Sequence, residues 1–522
     1  MGKTIIMWPK FCFILLMPGK GELPESEASI FVSLQQEKKW AEAVKLYESI
    51  LSRRHNYLPA LNALAKVAYE NKDYEASLQL LARIMKKHRP HPLWLNNLAV
   101  VMAARNDISK AEIIFRKALT YESSTVEILY NWGCLLVCQG RSEMALEVWR
   151  QGLDRQSSHR STLFALSRLC KELGLVAEAT RYCRQLVAMV PGEAEYRQNL
   201  GLMLLKQGEL LEGFKLYEAR WQANRLFTLP AEHLWDGNIS QLKDKTILLW
   251  AEQGFGDTLQ FARYLSQLRT IAKHVITAVP DLLVGLMRSS FPLLEVVSIE
   301  KLKKINYQLQ APLLSLPYLF GSSLDNLPDQ VPYLQIEEDF LERWREVLGG
   351  GGKLCVGLVW GGNPAHRNDV RRSMPISLFA ALFRLDGVMW YSLQKGEQEK
   401  ELEDFLAVSG SSDCLANLAP KLDSFEDTAA AIDLLDLVIS VDTSVAHLAG
   451  ALARPTWVLL PFDADWRWML ERHDSPWYPT MRLFRQPEPG NWESVIVAVQ
   501  NSLEDFVRGR QHYCFPTGVT SE

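Results

Sequence analysis

Two hydrophobic patterns divide this chain of 522 residues. Up to Trp221, the chain repeats a pair of positions at a nearly constant interval. The first position of each pair is a small residue, and the second, four residues later, is mostly a bulky one. Beyond Trp221 the interval is lost, and short apolar runs such as Thr246–Trp250 alternate with turns and helical segments. The pattern therefore predicts a helical repeat region followed by an α/β region.

The interval in the first region is about 34 residues, a period that indicates a helical repeat array. The small markers are Ala43, Ala76, Ala111, Ala145, Ala179 and Gly213, with steps of 33, 35, 34, 34 and 34 between them. The residues four positions later are Tyr47, Leu80, Phe115, Trp149, Cys183 and Tyr217. The residues twelve positions earlier, in the last five units, are Leu64, Ala99, Gly133, Ser167 and Gly201. Small residues let paired helices cross closely, and this region resembles the tetratricopeptide-repeat family. We therefore expect an α-solenoid of about six repeats over residues 27–226, with a concave face.

Asparagine recurs at one further repeat position, fourteen residues before each marker from the second onwards. That position holds Asn62, Asn97, Asn131, Ala165 and Asn199. A row of side-chain amides offers donors and acceptors to an extended peptide backbone. Such a row resembles the peptide-holding surface of the O-linked N-acetylglucosamine transferase. The alternative is that each amide bonds a local carbonyl. The asparagines are the predicted acceptor-binding or peptide-binding residues.

The second region repeats the order strand, turn, helix that opens a doubly wound nucleotide-binding unit. The glycine loop Gln253–Asp257 follows the strand Thr246–Trp250 and precedes a predicted helix, Thr258–Leu268. Further strands are predicted at His274–Val279, Glu295–Ile299, Leu354–Trp360, Met389–Leu393 and Leu434–Ile439. Helices are predicted from Ile376, over Ser424–Leu435 and over Ala446–Leu452.

Glycine and proline mark the boundaries between these regions. Residues 227–244 contain Pro230 and Gly237, and the glycine run before Lys353 is typical of a hinge. It is not a P-loop, because a strand follows Lys353 directly. The expected organisation is a weakly ordered segment 1–26, the repeats 27–226, a linker 227–244, Rossmann-like domains 245–348 and 353–508, and a tail 509–522.

Polar residues gather where the strand ending near Ile439 gives way to a helix. The stretch SVDTSVAHLAG places Asp442, Thr443, Ser444 and His447 at this junction. One interpretation is a helix cap, because these residue types satisfy the free N–H groups of a first turn. The other is an anion site, because the same N–H groups and the helix dipole attract negative charge.

Several motifs together resemble the heptosyltransferase-related glycosyltransferases, family nine. They are GFGDTLQF, VGLVWGGNPAHRNDVRRSMP, SLQKGE, DLVISVDTSVAHLAGAL and PFDADWRWM with SPWYPTMRLFRQP. The resemblance covers nearly all of residues 245–508. It implies the GT-B fold, in which two Rossmann-like domains face a cleft, an inverting reaction on a nucleotide-sugar donor, and no metal.

The resemblance also implies residue roles. Asp442, Thr443 and His447 match the donor-phosphate motif, and Ser444 adds N–H and hydroxyl donors. Arg372 matches the cation that contacts the donor phosphate; its neighbours Arg367 and Arg371 belong to the same charged run. Asp257 matches the proposed base for the acceptor hydroxyl, with a helix-capping role as the equal alternative. The remaining expected donor contacts are Gln394, Lys395, Glu397, Asn363 and Gly256.

Asp463 and Asp465 resemble the metal-binding aspartate pair of the other glycosyltransferase fold. They lie between aromatic residues in a GT-B context, so we interpret them as structural or as a sugar contact. No cofactor or metal is therefore expected beyond the nucleotide-sugar substrate.

Composition narrows the possible partners. The net charge of −4 gives no basic field for nucleic acid, and the eight cysteines form no CxxC pair, as expected for a reducing compartment. The apolar stretch Phe11–Met17 lacks the features of a signal peptide, so a cytoplasmic protein without a membrane span is expected. Two functions remain: a glycosyltransferase whose repeats present a protein or peptide acceptor, or a non-catalytic repeat scaffold with a degenerate transferase domain.

Overall fold

The fold is described from a computed structural model of the chain. The described residues are 11–15, 22–36, 39–122, 125–224, 229, 233–348, 353–366, 368–409 and 413–508. They belong to two compact units, Met1–Val190 and Pro191–Glu522. The predicted tail, Arg367, and parts of the predicted N-terminal segment, linker and glycine hinge lie outside the described residues.

The first unit is an array of helices joined by short turns, as the repeat pattern predicts. The helices are α1 Glu25–Gln36, α2 Trp40–Arg53, α3 Leu58–Glu70, α4 Tyr74–Lys87, α5 Pro92–Ala104, α6 Ile108–Leu119, α7 Val126–Cys138, α8 Ser142–Arg155, α9 Arg160–Glu172 and α10 Val176–Met189. Gly133 confirms the need for small residues at crossings. A Cβ there would lie 2.1 Å from Nε1 of Trp149, which only glycine avoids.

The turns inside the helix pairs show that the repeat is regular. A residue with positive φ recurs at an even interval, once per repeat: Lys72 (63°), Asn106 (70°), Gly140 (75°), Gly174 (74°) and, in the second unit, Gly208 (84°). Glycine and asparagine suit this left-handed conformation, so the turn itself carries the period. The uneven steps of 33 and 35 in the sequence analysis therefore came from choosing the wrong marker in one repeat.

Ser77, not Ala76, is the small marker of that repeat. Ser77 is fully buried, and its hydroxyl donates to the carbonyl of Ala65 at 2.7 Å. Ala76 is only half-buried. The helix crossing therefore uses Ala65 where the sequence analysis placed Leu64, and Leu81 packs in the core where it placed Leu80.

The second unit begins with the last predicted repeat. Its helices are α11 Ala194–Lys206, α12 Leu210–Tyr217 and the short α13 Arg220–Ala223. We expected this pair to complete the solenoid 27–226, but it shares a core with the α/β region. Phe214 packs edge-on against Trp466 at 5.5 Å and against Trp477 at 6.4 Å. The buried Arg220 pairs with Glu252 at 2.6 Å.

Two parallel sheets follow. The first contains β1 Thr246–Trp250, β2 His274–Val279, β3 Glu295–Ser298 and β4 Leu309–Pro312, in the order β3-β2-β1-β4. The second contains β5 Leu354–Val359, β6 Val388–Ser392, β7 Leu415–Asn417, β8 Leu437–Val441, β9 Thr456–Leu460 and β10 Met481–Arg485, in the order β10-β9-β8-β5-β6-β7. The parallel α/β architecture expected from the alternating pattern is confirmed.

The helices of this region differ from the predicted bounds. They are α14 Phe255–Phe261, α15 Leu265–Ile271, α16 Val284–Ser290, α17 Leu316–Leu319, α18 Glu338–Leu348, α19 Asp369–Arg372, α20 Glu399–Ser409, α21 Phe425–Asp433, α22 Ser444–Ala451 and α23 Trp492–Arg508. The single helix predicted over Thr258–Leu268 is divided at Arg263, whose guanidinium donates to the carbonyls of Pro328 (2.9 Å) and Trp477 (2.8 Å). The helix predicted from Ile376 is a 3₁₀ helix, Ile376–Arg384.

Among the described residues, no helix combines the length and the apolar character that a membrane span requires.

Candidate functional sites

The predicted donor residues gather at the carboxyl ends of parallel strands. β1 leads into α14, while β5, β8 and β9 lead into the loops that carry the other predicted side chains. Helices α14 and α22 pack closely, because a Cβ on Gly256 would lie 2.8 Å from Cδ2 of His447. Ligands of open α/β sheets bind in crevices at these strand ends, so we take this as the candidate active site.

The start of α22 retains the properties of an anion site. Thr443 is the N-cap residue, with φ −137° and ψ 173°, but in the described structure its side chain does not cap the first turn. Its hydroxyl lies 3.0 Å from that of Ser440 instead. The capping-only interpretation therefore does not hold for Thr443, and the first N–H groups of α22, beginning at the half-buried Ser444, keep their donor capacity.

Arg372 brings a cation to this helix start. Its Nη1 donates to the carbonyl of Asp442 at 2.9 Å, and its Nε donates to Asp369 at 3.2 Å. The guanidinium lies over Gly362, where a Cβ would be 2.5 Å from Nη2. Arg371 lies more openly, with Nη1 3.9 Å from Asp463. Gly362, the second glycine of the WGGN motif, thus leaves space for the Arg372 side chain, which links the loops after β5 and β8.

His447 is buried between α14 and the segment that follows β9. Its ring stacks on Trp468 with 5.3 Å between centroids, and its Nδ1 lies 3.0 Å from the Tyr478 hydroxyl. Burial, and then the guanidinium of Arg467, lower the pKa of His447 to about 3. The imidazole is therefore neutral near pH 7. A contact with the donor phosphate stays a prediction, and it would be made by a neutral ring.

Asp257 uses both carboxylate oxygens in the structure. Oδ2 accepts from the N–H of Gly254 at 2.8 Å, which caps α14 from its third residue. Oδ1 pairs with the guanidinium of Arg467. The capping interpretation is therefore met, and the ion pair adds a function that the sequence did not indicate. The side chain keeps 17% of its surface exposed, so the base role also stays open.

Arg467 is the central residue that sequence reasoning missed. It pairs with Asp257 and Asp465, the latter at 2.8 Å, and its Nε donates to Gln260 at 2.7 Å. Burial alone would lower the pKa of Arg467, but the carboxylates of Asp465 and Asp257 hold it above its ordinary value. The motif DADWRW contained the signal, because an arginine among tryptophans and aspartates is typical of a buried ion pair.

The two aspartates of that motif both engage cations. Asp463 pairs with Lys206 of α11, and Asp465 pairs with Arg467. Burial raises the pKa of Asp465, yet Arg467 outweighs it and holds that pKa below its ordinary value. Burial, followed by the charge of Asp465, raises the pKa of Asp442 to about 6. The described residues contain no cluster of potential metal ligands.

Gln394 and Lys395 form hydrogen bonds within the protein, and their predicted contacts with a donor stay predictions. The Gln394 amide is 2% exposed, accepts from the N–H groups of Trp360 (3.1 Å) and Gly361 (2.9 Å), and donates to the Gly361 carbonyl at 3.0 Å. Lys395 donates to the carbonyls of Ala419 (3.0 Å) and Leu422 (2.8 Å). Both residues lie in the loop after β6, and their side chains join that loop to neighbouring loops.

Glu397 and Asn363 are exposed at the same edge of the sheet. The Asn363 side chain accepts from the N–H of Ala365 at 2.9 Å, which shapes the loop after β5. Their predicted contacts with a donor stay predictions, as does that of Gly256.

Three of the four predicted peptide-binding asparagines assemble into a groove in the first unit. Asn62 on α3, Asn97 on α5 and Asn131 on α7 are fully buried. Asn199 is half-buried on α11 and belongs to the second unit. Asn96, next to Asn97 in the sequence, is a further member of the groove that the repeat spacing did not predict.

The four asparagines of the groove form two rows, because Asn62 lies one repeat before Asn96, and Asn97 lies one repeat before Asn131. The predicted alignment of Asn62 with Asn97 is therefore wrong by one residue, because it used Ala76 and not Ser77 as the marker.

An extended segment of the chain occupies this groove. The N–H of Cys12 donates to Oδ1 of Asn131 at 2.6 Å, and Asn131 donates back to the Cys12 carbonyl at 2.7 Å. Ile14 exchanges the same two bonds with Asn97, both at 2.8 Å. Asn62, Asn97 and Asn131 therefore pair with a peptide backbone in this structure instead of with local carbonyls, and the role of Asn199 stays a prediction.

Comparisons with known proteins agree with both regions. Residues 34–99 match the tetratricopeptide-repeat model, and residues 375–459 match the model of glycosyltransferase family 9, heptosyltransferase. Protein FlbA of Caulobacter vibrioides is 26% identical over 510 residues, which cover 90% of this chain and 82% of that protein.

Similar solved structures are more distant. The ADP-heptose LPS heptosyltransferase II of E. coli has a TM-score of 0.40 and 12% identity, covering 51% of this chain and 100% of that one. A tetratricopeptide-repeat protein of Thermus thermophilus has a TM-score of 0.32 and 16% identity, covering 35% of this chain and 98% of that one. On the two family matches, the chain joins a tetratricopeptide-repeat region to a region of the glycosyltransferase family 9 (heptosyltransferase) type.

Proposed function

We propose that this protein transfers a sugar from a nucleotide-sugar donor to an acceptor, with inversion and without a metal ion. The observation that carries the proposal is the uncapped start of α22 with Arg372 beside it. A departing nucleoside diphosphate gains negative charge as the sugar–phosphate bond breaks. Oriented N–H groups, a helix dipole and a guanidinium stabilise such charge more in the transition state than in the ground state.

The reaction is a single displacement. The acceptor oxygen forms the bond to the sugar carbon, the bond from that carbon to the phosphate oxygen breaks, and its electron pair leaves with the nucleoside diphosphate. The acceptor proton passes to the carboxylate of Asp257, which the neighbouring Arg467 holds in position. Thr443 and Ser444 donate to the departing phosphate, and Asp442 orients the turn.

We propose a protein or peptide as the acceptor. The support is the first unit, in which side-chain amides hold an extended backbone. Recognition through the backbone tolerates many side chains and would suit an enzyme that modifies polypeptides.

The test is an assay of the full chain with a panel of uridine, guanosine, adenosine and cytidine nucleotide sugars. The release of the free nucleotide and the mass increase of a candidate acceptor are measured together. The expected result is turnover of one donor class, reduced in Arg372→Ala and unchanged in Arg345→Ala, a half-exposed arginine on α18 that pairs with Glu338.

The alternative function is a non-catalytic repeat scaffold. The internal bonds of Gln394 and Lys395 favour it, since they leave fewer side chains for a donor. The absence of both turnover and donor-induced thermal stabilisation across the whole panel would contradict the transferase proposal and support the scaffold.

A further inference from the structure

The asparagine groove repeats a single recognition unit. Asn62 and Asn97 hold Ile14: both amides donate to its carbonyl, at 3.0 Å and 2.8 Å. Asn96 and Asn131 hold Cys12 in the same way, at 3.4 Å and 2.7 Å. One repeat along the helical array therefore corresponds to a step of two residues along the bound segment.

The asparagine pairs also support each other. Asn97 donates to Oδ1 of Asn62 at 2.9 Å, and Asn131 donates to Oδ1 of Asn96 at 2.8 Å. These bonds fix the orientation of each amide, so every pair offers the same donors and acceptor. A repeated set of this kind can pair with every second residue of an extended peptide, because every second residue of an extended backbone faces the same side.

The residue between the two paired ones enters an apolar pocket. Phe13 is 5% exposed and packs against Tyr69 with 5.7 Å between ring centroids. It belongs to the same buried cluster as Leu61 and Leu81 of the helix pair α3 and α4. A large apolar side chain therefore fills the pocket, while the asparagines bond only to the backbone of the segment.

We propose that this groove is a binding site for an extended peptide with an aromatic residue between two backbone-paired residues. The segment 11–15 is its intramolecular occupant, and a peptide from another protein enters by displacing it. This inference rests on the peptide-holding role proposed for the repeats, but it does not depend on sugar transfer. The occupied groove is a closed state, and release of the segment 11–15 is the step that opens it.

Tethering favours the resident segment over a separate peptide. A covalently linked segment acts at an effective concentration of about a millimolar, so an external peptide with equal contacts competes poorly. Weakening the resident anchor without changing the groove shifts this competition. Phe13→Ala does so, because it removes the side chain from the pocket and leaves every asparagine in place.

The first experiment measures peptide binding to the full chain. The probe is a fluorescein-labelled synthetic peptide spanning residues 9–17 with Cys12→Ser, and the readout is anisotropy. The Phe13→Ala chain should bind it at least tenfold more tightly than the unmodified chain. A probe that itself carries Phe13→Ala should bind weakly to both, and adding Asn97→Ala and Asn131→Ala to the Phe13→Ala chain should abolish the gain.

The second experiment keeps the proposal falsifiable if Phe13→Ala perturbs folding. Hydrogen exchange in the unmodified full chain should show the amides of Cys12 and Ile14 protected, because they donate to Asn131 and Asn97. Both should exchange faster in the Asn97→Ala, Asn131→Ala double variant and remain protected in Asn71→Ala, an exposed asparagine at the end of α3.

Unprotected amides in the unmodified chain would overturn the occupancy. Equal peptide affinity of the unmodified and Phe13→Ala chains, with folding intact, would overturn the competition. Neither readout involves a nucleotide sugar, so either failure is distinguishable from failure of the transferase proposal.

Discussion

The guanidinium of Arg467 pairs with the carboxylate of Asp257, although 210 residues separate them in the sequence. Asp257 lies on the helix after β1 of the four-stranded sheet, and Arg467 follows β9 of the six-stranded sheet. The pair therefore joins the two sheets at the candidate active site. It holds the side chain of the predicted base in place.

Asp257→Asn tests the base. The asparagine side chain keeps an acceptor for the N–H of Gly254, so the start of α14 should remain intact. Loss of a general base typically lowers the rate about a hundredfold or more. Transfer to the acceptor should fall by at least that factor at unchanged donor affinity. Asp281→Asn, an exposed aspartate after β2, is the matched control, and unchanged transfer in Asp257→Asn would remove Asp257 from the chemistry.

Arg372→Ala tests the cation at the helix start. A charge-assisted hydrogen bond contributes about 1.5–3 kcal/mol, so the rate of donor turnover should fall about tenfold to a hundredfold. Arg372→Lys should recover part of the loss, because it restores charge without the planar geometry. Steady-state kinetics measure the effect. Equal kinetics of Arg372→Ala and the parent chain would place the donor phosphate elsewhere.

His447 makes stability depend on pH. Its pKa is about 3 in the folded protein and near 6.5 when unfolded, so the unfolded chain binds more protons between these values. The contribution of His447 to the free energy of unfolding should therefore be fully present above about pH 6.5. It should decrease as the pH falls below that value, by up to about 1.4 kcal/mol per pH unit.

Thermal unfolding between pH 7 and pH 4 measures this effect. The parent chain should lose more stability than His447→Gln, which cannot titrate. Parallel losses in the two chains would show that His447 titrates normally and is not enclosed as described.

Gln394→Ala separates a structural tie from a donor contact. It removes the buried amide that joins the loops after β5 and β6, and should lower the free energy of unfolding by about 1–3 kcal/mol. Glu397→Ala, exposed on the same loop, should change stability by no more than about 0.5 kcal/mol. Chemical denaturation provides both values. An unchanged stability with weaker donor binding in Gln394→Ala would instead support the predicted donor contact.

Metal independence is testable with a chelator. Asp463 and Asp465 each engage a side-chain cation, Lys206 and Arg467. We therefore expect turnover to persist in excess chelator at an unchanged rate. Activity that disappears on chelation and returns with manganese would instead assign these aspartates to a metal.

The sequence by itself determined the two architectures. The repeat period follows from small residues at helix crossings, and apolar runs predicted strands such as β1 and β2 within one residue. It also located the polar groups at strand ends, including Thr443 and Arg372. These features are local, because each depends on spacing within one helix pair or one strand and its following turn.

Only the tertiary structure decided which groups meet. The sequence left the register of the asparagines open: adjacent Asn96 and Asn97 fit either row, and the left-handed turn at Lys72 settles the choice. Burial of His447 and the bond from Arg467 to Asp257 arise from packing between distant segments, about which residue spacing carries no information. The sequence did not predict the occupant segment 11–15 for the same reason, because its partners lie 48 to 119 residues away. Hydrogen bonds to its backbone also require no particular side chains in the segment.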